Sequence, residues 1–151
     1  MTIQQRYRES FGDHMKSLIG EPYQWGGHGN PGYDCSGVIV ESLRSSGFRE
    51  LDDLTAQGLY ERFKSSEAFE PEIGNLYFYG PSLAKISHVM GVIRVWPHGR
   101  AILCGARGGD GSTSTYDQAW AKSAWVDVVS GDYWGSKLVA KLDPFKAFND
   151  A

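Results

Sequence analysis

The order of local patterns along the chain predicts an α+β fold, helices first and an antiparallel sheet after them. Three observations carry this. The chain opens on apolar residues at helical spacing. A second apolar run starts at Cys35, directly after a loop rich in glycine and aromatic residues. From Glu72 onward, short aromatic and β-branched runs alternate with Gly/Pro turns.

Ile3, Tyr7, Phe11, Met15 and Leu18 fall on one stripe and predict a helix over 2–19, with Gly20 as its stop and Pro22 preventing its resumption. Residues 21–34 read as loop, because Gly26, Gly27, Gly29, Pro31 and Gly32 favour tight backbone angles. The run from Cys35 to Ser45 or Ser46 predicts a central buried helix ended by Gly47. A third helix is expected from Asp52 or Asp53, carrying Leu54, Leu59, Tyr60 and Phe63, with Gly58 as a weak point inside it. The strands expected are Leu76–Tyr79, Ser87–Trp96, Ala101–Ala106, Ala124–Val129 and Lys137–Leu142, about five in all. Pro97-His98-Gly99 turns the second into the third.

The chain of 151 residues has room for a hydrophobic core without staples and reads as one domain, 1–151. A net charge of −3 and a pI of about 5.8 supply no basic field, so nucleic acid and anionic lipid are not expected partners. No apolar run approaches the roughly 20 residues of a membrane span. Met1–Arg8 lacks the apolar segment of a secretory signal, so synthesis in the cytoplasm is expected, with another route delivering any activity outside. His14, His28, His88, His98, Cys35 and Cys104 form no metal-binding spacing, and neither a metal nor another cofactor is expected. Whether the two cysteines meet is left open by the sequence. The glycine-rich stretch Gly105–Thr113 lacks the lysine and spacing of a phosphate loop and reads as a strand-end loop near a pocket mouth.

Chemistry concentrates at Cys35. A cysteine at a loop-to-helix junction faces outward-pointing N–H groups and the positive end of the helix dipole, which favour the thiolate. A nucleophilic thiol requires a base, and His88, at the start of an apolar strand, is held better than His98 in its turn.

These residues resemble the NlpC/P60 cysteine peptidases. The matching runs are Pro22-Tyr23-Gln24-Trp25-Gly26-Gly27, Asp34-Cys35-Ser36-Gly37, Leu54–Tyr60, Ile73-Gly74-Asn75-Leu76-Tyr77-Phe78 and Ser87-His88-Val89, covering roughly residues 15–142. The resemblance implies a papain-like fold, the cysteine helix packed on a small antiparallel sheet or barrel. It implies hydrolysis of bacterial peptidoglycan stem peptides, typically between D-γ-glutamyl and diaminopimelate (or lysine). Cys35 would be the nucleophile, His88 the base and then the acid, and Tyr23 a hydroxyl donor to the oxyanion. Asp34 and Ser36 match positions that in some members hold the substrate's amine end, and Trp25 and His28 on the same loop are candidate substrate contacts. The compact domain resembles phage-encoded members, lysins or tail-associated hydrolases, with phage-tail or secretion-system partners and the cell wall as the place of action.

Two departures stand out. Asn75 replaces the family's usual aspartate. The third polar residue, which orients the histidine from the following strand, has no obvious counterpart in Ile102-Leu103-Cys104-Gly105-Ala106; Cys104 and Gly105 are poor orienters, and Arg107 and Asp110 lie just beyond. That weakness supports one competing reading, a non-catalytic module that binds stem peptide or serves a phage particle; a second, an amidase or acyltransferase on the same fold, follows because a thioester can pass to acceptors other than water.

Overall fold

The computed structural model describes residues 1–29 and 32–148. Helix α1 spans Ile3–Ser17, and Thr2 and Gln5 cap it reciprocally. Gly20, at φ +93°, turns the chain out of it. Two short strands follow, β1 (His28–Gly29) and β2 (Gly32–Tyr33), paired antiparallel within the stretch expected to be loop. Helix α2 is Cys35–Arg44, and eight of its ten residues are buried.

Helix α3 is Ala56–Phe63, starting later than Asp52 or Asp53. Thr55 is its cap, accepting the Gly58 N–H at 3.0 Å, while Asp53 is held by Arg44 at 2.8 Å. Gly58 therefore sits in the first turn, where its flexibility does not break the helix.

Strands β3 (Leu76–Tyr79), β4 (His88–Val95), β5 (Ala101–Arg107), β6 (Trp125–Ser130) and β7 (Leu138–Leu142) form one antiparallel sheet in the order β6-β5-β4-β3-β7. The sheet is open, not a closed barrel. A helix without counterpart in the sequence reading, α4 (Tyr116–Ala121), lies between β5 and β6, capped by Thr115 and Gln118.

One face of the sheet packs on the helices, bringing Phe11, Met15, Val38, Ile39 and Leu43 against Val89, Ile93, Cys104 and Ala106. Gly91 is what lets α1 come this close, since a Cβ there would lie 2.8 Å from Met15 Sδ. The opposite face carries a smaller cluster, Tyr77, Tyr79, Met90, Val92 and Leu103, with Tyr133 and Leu138 packed on it. Successive residues of a strand alternate between faces, so Val89 serves the helical core while His88 and Met90 turn to the other side.

Candidate active site

Cys35 is the first residue of α2 and is 8% exposed. Asp34 caps the helix: its Oδ1 accepts the Gly37 N–H at 2.6 Å and the Ser36 hydroxyl at 3.2 Å, and its Oδ2 accepts the Gly26 N–H at 3.1 Å. One carboxylate thus ties the cysteine helix to the aromatic loop. Gly37 is obligatory, because a Cβ there would run into the Gly27 carbonyl, which accepts the Asp34 N–H at 3.1 Å. Ser36 is buried beside the carboxylate.

Tyr23 is anchored through its backbone N–H, donated to the Ala124 carbonyl at 3.1 Å. Its ring is covered by Gly109, where no side chain would fit. Trp25 is 60% exposed at the rim, its backbone N–H held by the Thr113 carbonyl. His28 lies in β1, and its side chain is outside the described residues.

His88 is the first residue of β4, paired with Tyr79 of β3. Its ring sits in an aromatic box, with centroids 5.5 Å from Tyr79 and 6.1 Å from both Tyr133 and Trp134. Nε2 is enclosed and has no hydrogen-bond partner among the described residues.

Tyr23, Cys35, His88, Arg107, Asp110, Tyr133 and Trp134 all line one cavity of about 530 Å³. A second, of about 450 Å³, continues on the other side of Cys35, walled by Asp34, Ser36, Asp53, Leu54 and Thr55. Tyr23, Trp25, Cys35 and Ser87 are common to both. The thiol therefore stands between two lobes, each of a size that holds a small ligand.

The electrostatics differ from what the helix terminus alone suggests. Burial pushes the Cys35 thiol up to about 12, and the Asp34 charge adds to this; the N–H groups of Val89, Ser36 and Cys35 itself work in the opposite direction without prevailing. Burial lowers His88 to about 4, and the nearby Arg107 charge adds to that. The resting pair is a neutral thiol and a neutral imidazole, with no hydrogen bond between them among the described residues. Burial also raises the Tyr23 phenol, followed by the charges of Cys35, Asp34 and Asp110, so it remains a donor.

None of the four residues considered for orienting His88 hydrogen-bonds it. Cys104 faces the helical core, its thiol 3.9 Å from the Met15 carbonyl, and both cysteines are free thiols. Gly105 faces Met90, whose sulfur would lie 2.7 Å from a Cβ there. Arg107 pairs with Asp127 at 3.1 Å and lies over the Tyr133 ring. Asp110 accepts from Ser112 and Lys122, binding the glycine-rich loop into a fixed turn. Among the described residues no cluster of three or more His, Cys, Asp or Glu side chains could hold a metal ion.

Tyr133, Trp134 and Tyr79 are the site residues that the sequence reading passed over. Trp134 takes a left-handed φ of +47°, uncommon for a non-glycine residue. An aromatic pair between two glycines, Gly131-Asp132-Tyr133-Trp134-Gly135, is the signal that could have drawn attention to Tyr133 and Trp134.

The NlpC/P60 family model matches residues 20–142. Over 74 residues the chain is 32% identical to the probable peptidoglycan endopeptidase LytE of Bacillus subtilis, covering 49% of this chain and 21% of that protein. The chain thus spans about a fifth of the curated relative's length. Among solved structures, the peptidoglycan hydrolase RipB of Mycobacterium tuberculosis aligns with a TM-score of 0.63 at 20% identity, over 94% of this chain and 66% of that one. An NlpC/P60 family protein from Bacillus cereus aligns with a TM-score of 0.63 at 17% identity, over 89% of this chain and 39% of that one.

Proposed function

The chain belongs to the NlpC/P60 family, and from that premise we propose that it is a cysteine endopeptidase of bacterial peptidoglycan. Its substrate in this reading is the stem peptide, cut between D-γ-glutamyl and diaminopimelate (or lysine). The observation that carries the proposal is the meeting of Cys35, from a helix N-terminus, and His88, from a strand start, in one cavity with Tyr23.

His88 Nδ1 takes the Cys35 proton as the sulfur attacks the amide carbon. The oxyanion receives the Cys35 backbone N–H, one of the donors a helix start leaves unused, and the Tyr23 hydroxyl. One such donor contributes about 3 kcal/mol to lowering the barrier. The imidazolium then protonates the departing amine, and a thioester remains on Cys35. Water attacks the thioester, giving a proton to His88, and that proton returns to the sulfur as the acid product leaves.

The two lobes suit the two sides of the bond. Asp34, with three of its roughly four acceptor positions used internally, retains one for the substrate's amine end. The lobe holding Arg107 suits the carboxylate-bearing residue on the leaving side.

The test is mass spectrometry of defined muropeptides after digestion. Wild type releases products cut at the γ-glutamyl bond, Cys35→Ala releases none, and His88→Ala almost none; activity surviving Cys35→Ala overturns the mechanism. The enclosed, unpartnered His88 Nε2 favours one other reading, a module that binds stem peptide without cutting it. Iodoacetamide separates the two, since a nucleophilic Cys35 is alkylated faster than Cys104 near neutral pH and an inert one is not.

A further inference from the structure

A catalytic imidazole works in one tautomer and one orientation, and in this pocket Nδ1 must be free to accept while Nε2 carries the proton. Nothing on β5 holds Nε2. Two buried polar atoms on neighbouring strands have no partner among the described residues, however: His88 Nε2 and Tyr79 Oη. The residues that bear them face each other across the β3–β4 register, and their ring centroids are 5.5 Å apart. The Ser87 N–H, donated to the Tyr79 carbonyl at 2.9 Å, fixes that register at its end. Trp134 stacks on Tyr79 at 5.9 Å and Tyr133 meets it edge-on at 5.6 Å, so the phenol is held from both sides.

A buried hydroxyl with no partner costs about 1–3 kcal/mol. Phenylalanine at position 79 would fill the same space without that cost. Two such groups on residues paired across the strands each remove the other's cost when they bond to one another.

We propose that Tyr79 is the positioning residue for His88: its Oη accepts the Nε2–H, selecting the tautomer that leaves Nδ1 free to take the Cys35 proton. The orienting group then comes from β3, on the opposite side of β4 from the strand where the family's third residue is expected. Met90 occupies the ground that a side chain at Gly105 would need, so β5 offers no orienting side chain at that position. The Tyr133 and Trp134 rings packed on the imidazole keep water from competing for Nε2. The groups around the imidazole that carry or can carry charge are Tyr79, Tyr133, Arg107 and Cys35.

This inference rests on the proposed role of His88, and its test is chosen to separate the two. The variant is Tyr79→Phe, compared with wild type and with Tyr133→Phe as a second aromatic hydroxyl deletion. Nitrogen NMR of histidine-labelled protein at neutral pH reads the tautomer without any substrate. The expected result is a single Nε2–H tautomer of His88 in wild type and in Tyr133→Phe, and a mixture in Tyr79→Phe. On muropeptides, Tyr79→Phe lowers kcat about 10- to 100-fold with KM unchanged, short of the loss of the base itself. Its melting temperature falls modestly, because Nε2–H is left buried without an acceptor, so the tautomer and the split between kcat and KM are the readouts that a merely structural role for the hydroxyl would not move. An unchanged tautomer together with unchanged kcat in Tyr79→Phe overturns the inference. A wild type that cuts no muropeptide overturns the proposed function instead, and the tautomer still decides the role of Tyr79.

Discussion

Cys35 and His88 rest as neutral partners because both are enclosed, and this sets the pH behaviour of the site. A base held at about 4 by burial is already deprotonated well below neutral pH. The acid limb of kcat/KM, which reports the free enzyme, is therefore expected near pH 4 and not near the 6.5 of an open imidazole; a pH–rate profile on muropeptides checks it, and a limb near 6.5 refutes it. The same group links stability to pH. Unfolded, His88 takes up a proton near 6.5; folded, only near 4. Between those values the unfolded chain binds more protons, so stability rises with pH through that window and the contribution is lost below it, about 3 kcal/mol in all. His88→Gln removes this part, so the stability difference between wild type and variant, read from urea unfolding at pH 4 and pH 7, changes by that amount. The placement of Cys35 at a helix start and of His88 at a strand start was legible in the sequence from the loop–helix and strand patterns, whereas Tyr23 was singled out by the family resemblance alone. Tyr79, Tyr133 and Trp134 were not, since an aromatic run reads equally well as core packing. The resting charge state was also hidden: a helix terminus can be read from a pattern, but the burial that outweighs it here depends on what the rest of the chain lays over the thiol.

The element that positions the nucleophile is α2, and Asp34 governs its start. Asp34→Ala removes the cap and the tie to Gly26, at an expected cost of about 1–2 kcal/mol. Asp34→Asn keeps a capping side chain and removes the charge that helps to raise the Cys35 thiol. Denaturant unfolding is thus expected to separate the two variants, with Asn close to wild type, while the alkylation rate of Cys35 near neutral pH rises in Asn. An Asn variant as unstable as the Ala variant would show that the charge, and not the cap, sustains the helix start. Helices and strands with strong periodicity were legible in the sequence to within a few residues. The start of α3 was displaced because Arg44 engages Asp53 and leaves the capping to Thr55. Helix α4 was missed, although Thr115 and Gln118 carry its capping box, because six residues give too little periodicity to stand out. The β1–β2 pair, with strands of two residues, is invisible to pattern for the same reason.

At the scale of the molecule, the ends of the chain are clasped across the helical face of the sheet by Arg8 and Asp143. The guanidinium meets the carboxylate through two bonds, of 2.9 and 2.8 Å, and also donates to the Ile73 carbonyl at 3.0 Å. Both side chains are almost fully enclosed, and the pair spans 135 positions of sequence. Both residues lie outside the span that the family model matches, 20–142. No local pattern could announce the contact, just as none distinguished the open sheet from a closed barrel, because both depend on pairings fixed only when the whole chain has folded. A bidentate buried pair costs much in desolvation, so its net contribution is small, but removing one partner strands the other. Arg8→Met is therefore expected to destabilise by about 3–5 kcal/mol, because it leaves Asp143 enclosed without its cation. The double variant Arg8→Met with Asp143→Leu should recover most of that loss, since nothing charged remains inside, although Asp143 also accepts the Phe145 N–H at 3.2 Å and that bond is forfeited. A double-mutant cycle by urea unfolding measures the coupling. Additive losses in the cycle would mean that the two side chains act independently. Strong coupling would mean that the clasp holds α1 against the sheet in one register, and with it the α2 start that carries Cys35.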